Sequence, residues 1–240
     1  MKMKPETLKK YADALQKAIA AYMETDPAAI PMCISAGNDK IGHAFNVSLP
    51  AILTCGRCSH CAPYCYDVKT CNFRPNVIDA RARNYVILHL YRERYFREIR
   101  EKLRRSRRKN PCFRWHVGGE IPDAAYFAEM VSIAREFPAV RFWTYTKVHY
   151  IVNEYVRTHG GSRAAAIPEN LHVMFSVWSG MPTENPYNFP TFECRLAAGN
   201  PEHPDPEYWQ HVHTCPGNCD ICAAAGRGCV VGESSYADEH

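Results

Sequence analysis

Between residues 113 and 178, short runs rich in aromatic and β-branched residues alternate with amphipathic stretches, and that order leaves few folds open. Residues 113–117 read as a strand that runs into Gly118-Gly119. Residues 123–137 read as a helix, with Phe127, Val131 and Ala134 facing inward. Residues 140–147 are a second strand. A short helix over 149–158 is closed by Gly160-Gly161, and 171–178 is a third strand. Strand–helix–strand–helix–strand at this spacing implies an α/β fold, a parallel sheet with crossover helices. Each crossover is then right-handed.

The flanks are read in the same way. Residues 5–23 form an amphipathic helix with Pro5 in its first turn. Residues 45–54 read as a short buried strand, which Pro50 either weakens or places at an edge. One long helix is expected over 77–106, with Ile78, Ala82, Tyr85, Val86, His89, Phe96, Ile99 and Leu103 as its apolar stripe. From 179 to 214 repeated prolines break any long element. These divisions give a lead-in over 1–44, a core over 45–180, and an irregular Cys-rich tail over 181–240 packed on that core.

Cysteine is the unusual component. The chain has 12 cysteines among its 240 residues. There is no apolar run long enough for a bilayer and no secretory leader pattern, so a cytoplasmic protein without a membrane partner is expected. Disulfides are disfavoured there, and clustered cysteines point to metal. Cys55, Cys58, Cys61 and Cys65 are spaced C-x2-C-x2-C-x3-C, which equals a ferredoxin-type spacing for a four-iron cluster, with Tyr66 in place of the usual proline. Soft, sulfide-bridged iron needs thiolates, and a compact cube needs short spacings. Zinc is the competing metal; four ligands arriving together favour iron–sulfur. Cys215, Cys219, Cys222 and Cys229 make a second set, suited to zinc, to a second cluster, or to completing the first site. For most of the scattered Cys33, Cys71, Cys112 and Cys194, a small buried apolar residue is the plainer reading.

Charge is uneven. Residues 74–109 carry 13 Lys or Arg against 4 Asp or Glu, a net of +9. Its basic end, 94–109, with Arg94 and Lys109 at its limits, is either a surface for nucleic-acid phosphate or a solvated helical face. Helix-dipole complementarity accounts for only one or two of those cations.

The turn Gly118-Gly119-Glu120 is either an ordinary tight turn before the helix that opens at Asp123 or a ligand-binding backbone. Glycine lets a backbone approach a ligand closely, and Glu120 can accept from an amino group. A cysteine loop after the first strand, a long helix, then a strand ending in Gly-Gly-Glu resembles the opening of radical S-adenosylmethionine enzymes. The resemblance implies a partial (β/α) barrel and a 4Fe-4S cluster on Cys61 and Cys65 with Cys58 or Cys55. It also implies S-adenosylmethionine held at Gly118, Gly119 and Glu120. The order departs from that family: here Cys58, Cys61 and Cys65 read C-x2-C-x3-C, the reverse of the usual C-x3-C-x2-C.

The chain is also similar, over most of 45–230, to the phage gene product 88 domain family. The pieces are the run from Ser48 to Cys55, then Cys61, Cys65-Tyr66 and Lys69. They continue through Arg114 to Glu120, Trp143 to Lys147, and Cys215-Pro216 with Cys219 and Cys222. On that pattern Cys58 is an extra of this sequence.

Parallel strands gather their carboxy-terminal ends on one face, where sites form. Tyr145 and Lys147 are therefore candidates to bind or protonate a substrate. The leading expectation is an iron–sulfur enzyme of radical S-adenosylmethionine type, supplied by an electron donor and acting on an unidentified substrate that the basic stretch permits to be a nucleotide or nucleic acid. The rivals are a zinc-stapled nucleic-acid-binding protein and a non-catalytic iron–sulfur protein.

Overall fold

The computed structural model describes residues 2–37, 41–56, 61–108, 111–178, 183–195, 213–214 and 236–239. Five parallel strands stand side by side in chain order: β1 (Phe45–Val47), β2 (Cys112–Trp115), β3 (Arg141–Thr146), β4 (Leu171–Val177) and β5 (Thr191–Arg195). Two short strands, β6 (His213–Thr214) and β7 (Tyr236–Glu239), extend the sheet in the order β5-β7-β6, again parallel. A sheet wound in one direction by right-handed crossovers carries those crossovers on one face, as a barrel does. The α/β, partial-barrel expectation therefore holds.

Seven α-helices lie among the described residues: α1 (Pro5–Met23), α2 (Tyr66–Phe73), α3 (Pro75–Leu90), α4 (Arg92–Arg104), α5 (Ala124–Glu136), α6 (His149–Thr158) and α7 (Arg163–Ala166). No described helix is long and apolar enough to cross a membrane.

Alternation along the strands sorts side chains between two faces. Val47, Phe113, Trp115, Phe142, Val173 and Phe175 join the main core with residues of α4, α5 and α6. Rings interlock across the register: Phe113 pairs with Phe142, their centroids 5.7 Å apart, and Phe113 lies 4.8 Å from Trp115. Burying each such side chain contributes about 1.5–3 kcal/mol. Asn46, Arg114, Tyr145 and Ser176 alternate with these residues and line the space on the other face.

Local chemistry sets several boundaries. Asp123 caps α5 by accepting from the Tyr126 amide at 2.8 Å, and Arg92 grips the same carboxylate at 2.6 and 2.9 Å. At the end of α6, the Gly161 amide donates to Val156 O at 2.9 Å, with Gly160 and Gly161 at φ +101° and +67°. Tyr11 and Leu15 of α1 are buried with Val68, Ile78 and Ala82 of α2 and α3, and the Tyr11 hydroxyl donates to Ala51 O at 2.9 Å.

Four expectations need correction. The strand over 45–54 stops at Val47. Beyond it the chain turns: Ile52 has φ +68°, and the Thr54 amide donates back to Pro50 O at 3.2 Å. The helix over 77–106 is two helices, preceded by the unforeseen α2. Arg74, at φ −131°, is extended because a residue before proline avoids the helical region. Tyr91 interrupts again at φ −138°, although residues 89–91 contain neither Gly nor Pro to announce it. Two stripe members also stay out of the core: Tyr85 is half-buried and His89 exposed. Lastly, the irregular stretch 179–214 contains β5 and β6.

Candidate functional site

The carboxy-terminal ends of β1 to β4 open into one cavity of about 1010 Å³. Cys55, Cys61 and Cys65 form part of its wall. So do Gly118, Gly119 and Glu120 after β2, Tyr145 and Lys147 at the end of β3, and Ser176 and Trp178 at the end of β4. Residues expected to gather at the strand ends therefore share one space.

None of the three cysteines is in a disulfide. Cys55 Sγ accepts from the Ile52 amide at 3.2 Å. Burial, helped by the Glu120 charge, pushes this thiol up to about 12 against the opposing Ile52 amide and Lys147. Cys65 sits at the N-terminal boundary of α2. Burial raises it too, while the Val68 and Asp67 amides and Lys147 pull the other way. Among the described residues no three His, Cys, Asp or Glu side chains form a metal-holding group. Cys58, Cys215, Cys219, Cys222 and Cys229 lie outside the described residues. Of the scattered cysteines, Cys71 and Cys112 are buried, 1% and 8% exposed, as small apolar residues should be, whereas Cys33 is half-buried.

The Gly-Gly-Glu turn is engaged within the protein. A Cβ on Gly118 would sit 2.2 Å from the Asp67 carboxylate, and one on Gly119, at φ +81°, 2.5 Å from Leu49 O. Gly118 O accepts from the Leu49 amide at 3.0 Å, and the Gly118 amide donates to Ser48 Oγ at 3.3 Å. The close approach that the glycines permit is therefore between the segment after β1, α2 and the β2 end. Glu120 is buried, and its carboxylate accepts from the Ile121 amide, the Thr146 hydroxyl and the Lys147 amide, each at 2.8 Å. Burial raises its pKa; Lys147 and these donors oppose the rise.

Tyr145 faces the cavity between two neighbours, with the Arg114 guanidinium 5.0 Å from its ring centroid and Phe192 meeting it edge-on at 5.0 Å. Lys147, half-buried, lowers the pKa of Cys55, Cys65 and Glu120 together, so one cation serves all three potential anions.

Two features of the wall carried no assigned role in the sequence. Asp67 and Arg81 form a buried ion pair at 2.9 Å, with side chains 4% and 12% exposed, the arginine coming from the stretch that reads as merely basic. Asp67 Oδ2 has no hydrogen-bond partner. His116, directly after β2, adopts φ +54° and is 3% exposed. Its Nε2 lies 3.0 Å from the Tyr126 hydroxyl, which lies 3.0 Å from that of Tyr95. Tyr95 is fully buried in the apolar core. If Tyr95 donates to Tyr126 and Tyr126 donates to Nε2, both hydroxyl protons find acceptors, and the imidazole carries its own proton on Nδ1. The opposite direction leaves the Tyr95 proton without an acceptor in place of the Nδ1 proton, so either sense of this chain has one unpaired proton. Burial, reinforced by Arg81 and Arg114, lowers the His116 pKa to about 3, which keeps the ring neutral.

The basic stretch is largely spent on the protein itself. Arg81, Arg83, Arg92, Arg94, Arg100, Arg104 and Arg105 each meet a carboxylate. Arg108 lies 3.8 Å over the Phe45 ring and donates to His43 O. A second depression, of about 850 Å³, runs beside α4 and is lined by both signs of charge, Arg97, Lys102 and Arg105 with Glu98 and Glu101.

A one-way-wound parallel α/β sheet whose strand ends meet in a cysteine-walled, cation-rich cavity defines the class of protein. A family model described as Gene product 88 matches residues 26–184, which is 159 of the 240 residues. The chain belongs to the phage gene product 88 family. The matched span contains Cys55 to Cys65, Gly118 to Glu120, Tyr145 and Lys147, and it ends before the second cysteine set. The similarity thus begins earlier, and stops earlier, than the 45–230 expected. No curated protein and no solved structure matches the chain.

Proposed function

We propose that this chain is an iron–sulfur protein of radical S-adenosylmethionine type, with Cys55, Cys61 and Cys65 as cluster ligands and Cys58 as a spare thiol. The observation that carries the reading is that three cysteines from eleven residues, none in a disulfide, line the same cavity as the Gly-Gly-Glu turn, Tyr145 and Lys147. The donor set fits soft, sulfide-bridged iron. Ligation would release the protons of the three thiols, as thiolate sites generally require.

Held by these cysteines, a cluster would supply a single electron to a sulfonium cofactor at the cavity. The protein's own part is binding and orientation. Glu120 already accepts three hydrogen bonds, and a carboxylate has about four acceptor positions. The remaining one suits a single ammonium group. Lys147 offsets the negative charge that thiolates and Glu120 bring together. Tyr145, backed by Arg114, offers a phenol at the cavity wall to a substrate.

Anaerobic reconstitution with iron and sulfide tests the reading. A brown protein with about four irons per chain, whose colour is lost in Cys61→Ala and Cys65→Ala, is the expected result. Reduction with S-adenosylmethionine should then release 5′-deoxyadenosine. A colourless protein carrying zinc on these cysteines would overturn the iron reading, and a full cluster that never cleaves the cofactor would remove the enzyme.

A further inference from the structure

We infer that the outer edge of the cavity binds single-stranded nucleic acid, with a base stacked on Phe73 and the strand's phosphates at Lys69 and Arg74. The inference concerns binding alone, needs no metal and goes beyond the iron–sulfur reading.

Helix α2 supplies the first observation. Tyr66, Lys69, Thr70 and Phe73 all line the cavity. They recur at i, i+3, i+4 and i+7, which is one face of a helix. Val68 and Cys71 are instead buried with residues of α1 and α3. The helix thus gives one face to the core and a second, aromatic and cationic, to the cavity.

Phe73 itself is the second. It closes α2 and is 85% exposed, more than any other large hydrophobic side chain among the described residues. A ring so placed adds nothing to the core. Every base has a π-face, so an open ring at a cavity edge suits an unpaired base of any identity.

Charge is the third. Lys69, half-buried, precedes Phe73 by one turn, about 6 Å along the helix axis. Arg74, exposed, follows it directly. Among the described residues neither side chain makes an ion pair or a hydrogen bond. The carboxylates in the cavity wall are Asp67 and Glu120. Both are buried, Asp67 held by Arg81 and Glu120 by its three donors, so neither stands open beside these cations. A cation on either side of a stacking ring matches a base with a phosphate on either side, the repeating unit of a strand. A mononucleotide would leave one cation unused, and an acidic peptide would leave the ring unused.

Fluorescence anisotropy of the full-length chain with labelled oligothymidylate and oligouridylate tests the inference. At least one should bind saturably, and which one does so separates DNA from RNA. Phe73→Ala changes an exposed side chain, and its thermal unfolding should match that of the natural chain. It should weaken binding by about tenfold, and Phe73→Trp should keep it. Lys69→Gln together with Arg74→Gln should make the slope of log affinity against log salt shallower by about 1.4. Arg97→Gln together with Lys102→Gln, in the depression beside α4, should leave binding unchanged. Four results would overturn the proposal: no binding of either strand, binding indifferent to Phe73→Ala, loss of binding through the α4 variant instead, or a duplex or polyglutamate that competes as well as the single strand.

Discussion

The two faces of the sheet are built from the same strands to opposite ends. On the helix side, Phe113, Trp115, Phe142 and Phe175 are fully buried; the first three pack ring against ring, and Phe175 stacks on His149 and Phe189. On the other side, Asn46, Arg114, Tyr145 and Ser176 border an open cavity. A closed barrel fills its interior with side chains. This sheet leaves that space to polar groups, so stability and function are assigned to alternate residues of the same strand.

That division can be broken most severely at Phe142. Phe142→Ala should cost about 3–5 kcal/mol in denaturant unfolding, because a fully buried ring leaves a cavity. Next is the turn between the two faces. Gly119→Ala forces a Cβ to 2.5 Å from Leu49 O at φ +81°, and should destabilise by more than about 2 kcal/mol. Gly161→Ala at φ +67° meets nothing within 4 Å, so only the backbone cost of about 1–2 kcal/mol remains.

Acid sharpens the comparison more gently. The folded His116 has its pKa lowered to about 3 from an ordinary 6.5. Below pH 6.5 the unfolded chain gains a proton that the fold refuses, so stability should fall by roughly 1.4 kcal/mol per pH unit down to about pH 3. Glu120 works in the other direction, since its pKa is raised by burial; its contribution is present below about pH 4.5 and lost as pH rises through its folded value. The difference between the natural chain and His116→Asn in pH-dependent unfolding isolates the histidine slope. Smallest of all, Tyr145→Phe on the cavity side should change stability by less than about 0.5 kcal/mol, while any ligand that uses the phenol binds more weakly.

Periodicity made one face legible and left the other nearly silent. The helices at 5–23 and 149–158 fall where the apolar spacing puts them, because each buries a single stripe. The strand over 45–54 failed because Pro50 and the left-handed Ile52 turn the chain toward the cysteine loop. β5 follows Pro190 with only Phe192 as a large apolar residue, too little pattern to mark a strand amid prolines. At the site, the cysteines and the Gly-Gly-Glu run announced themselves by composition. The reason for the glycines did not, since Asp67 and Leu49 reach them from distant parts of the chain. The Asp67–Arg81 pair and the Tyr95–Tyr126–His116 relay likewise join residues whose spacing carries no signal. They become visible only when helices and strand ends are brought together.

The central claim is that Cys55, Cys61 and Cys65 meet at one iron–sulfur centre in this cavity. X-ray absorption at the metal edge of the anaerobically purified chain tests it most directly. The account predicts iron in a sulfur shell with a short iron–iron vector, both lost when the three cysteines are changed together to alanine. Zinc in their place, or iron that survives that triple change, would contradict it.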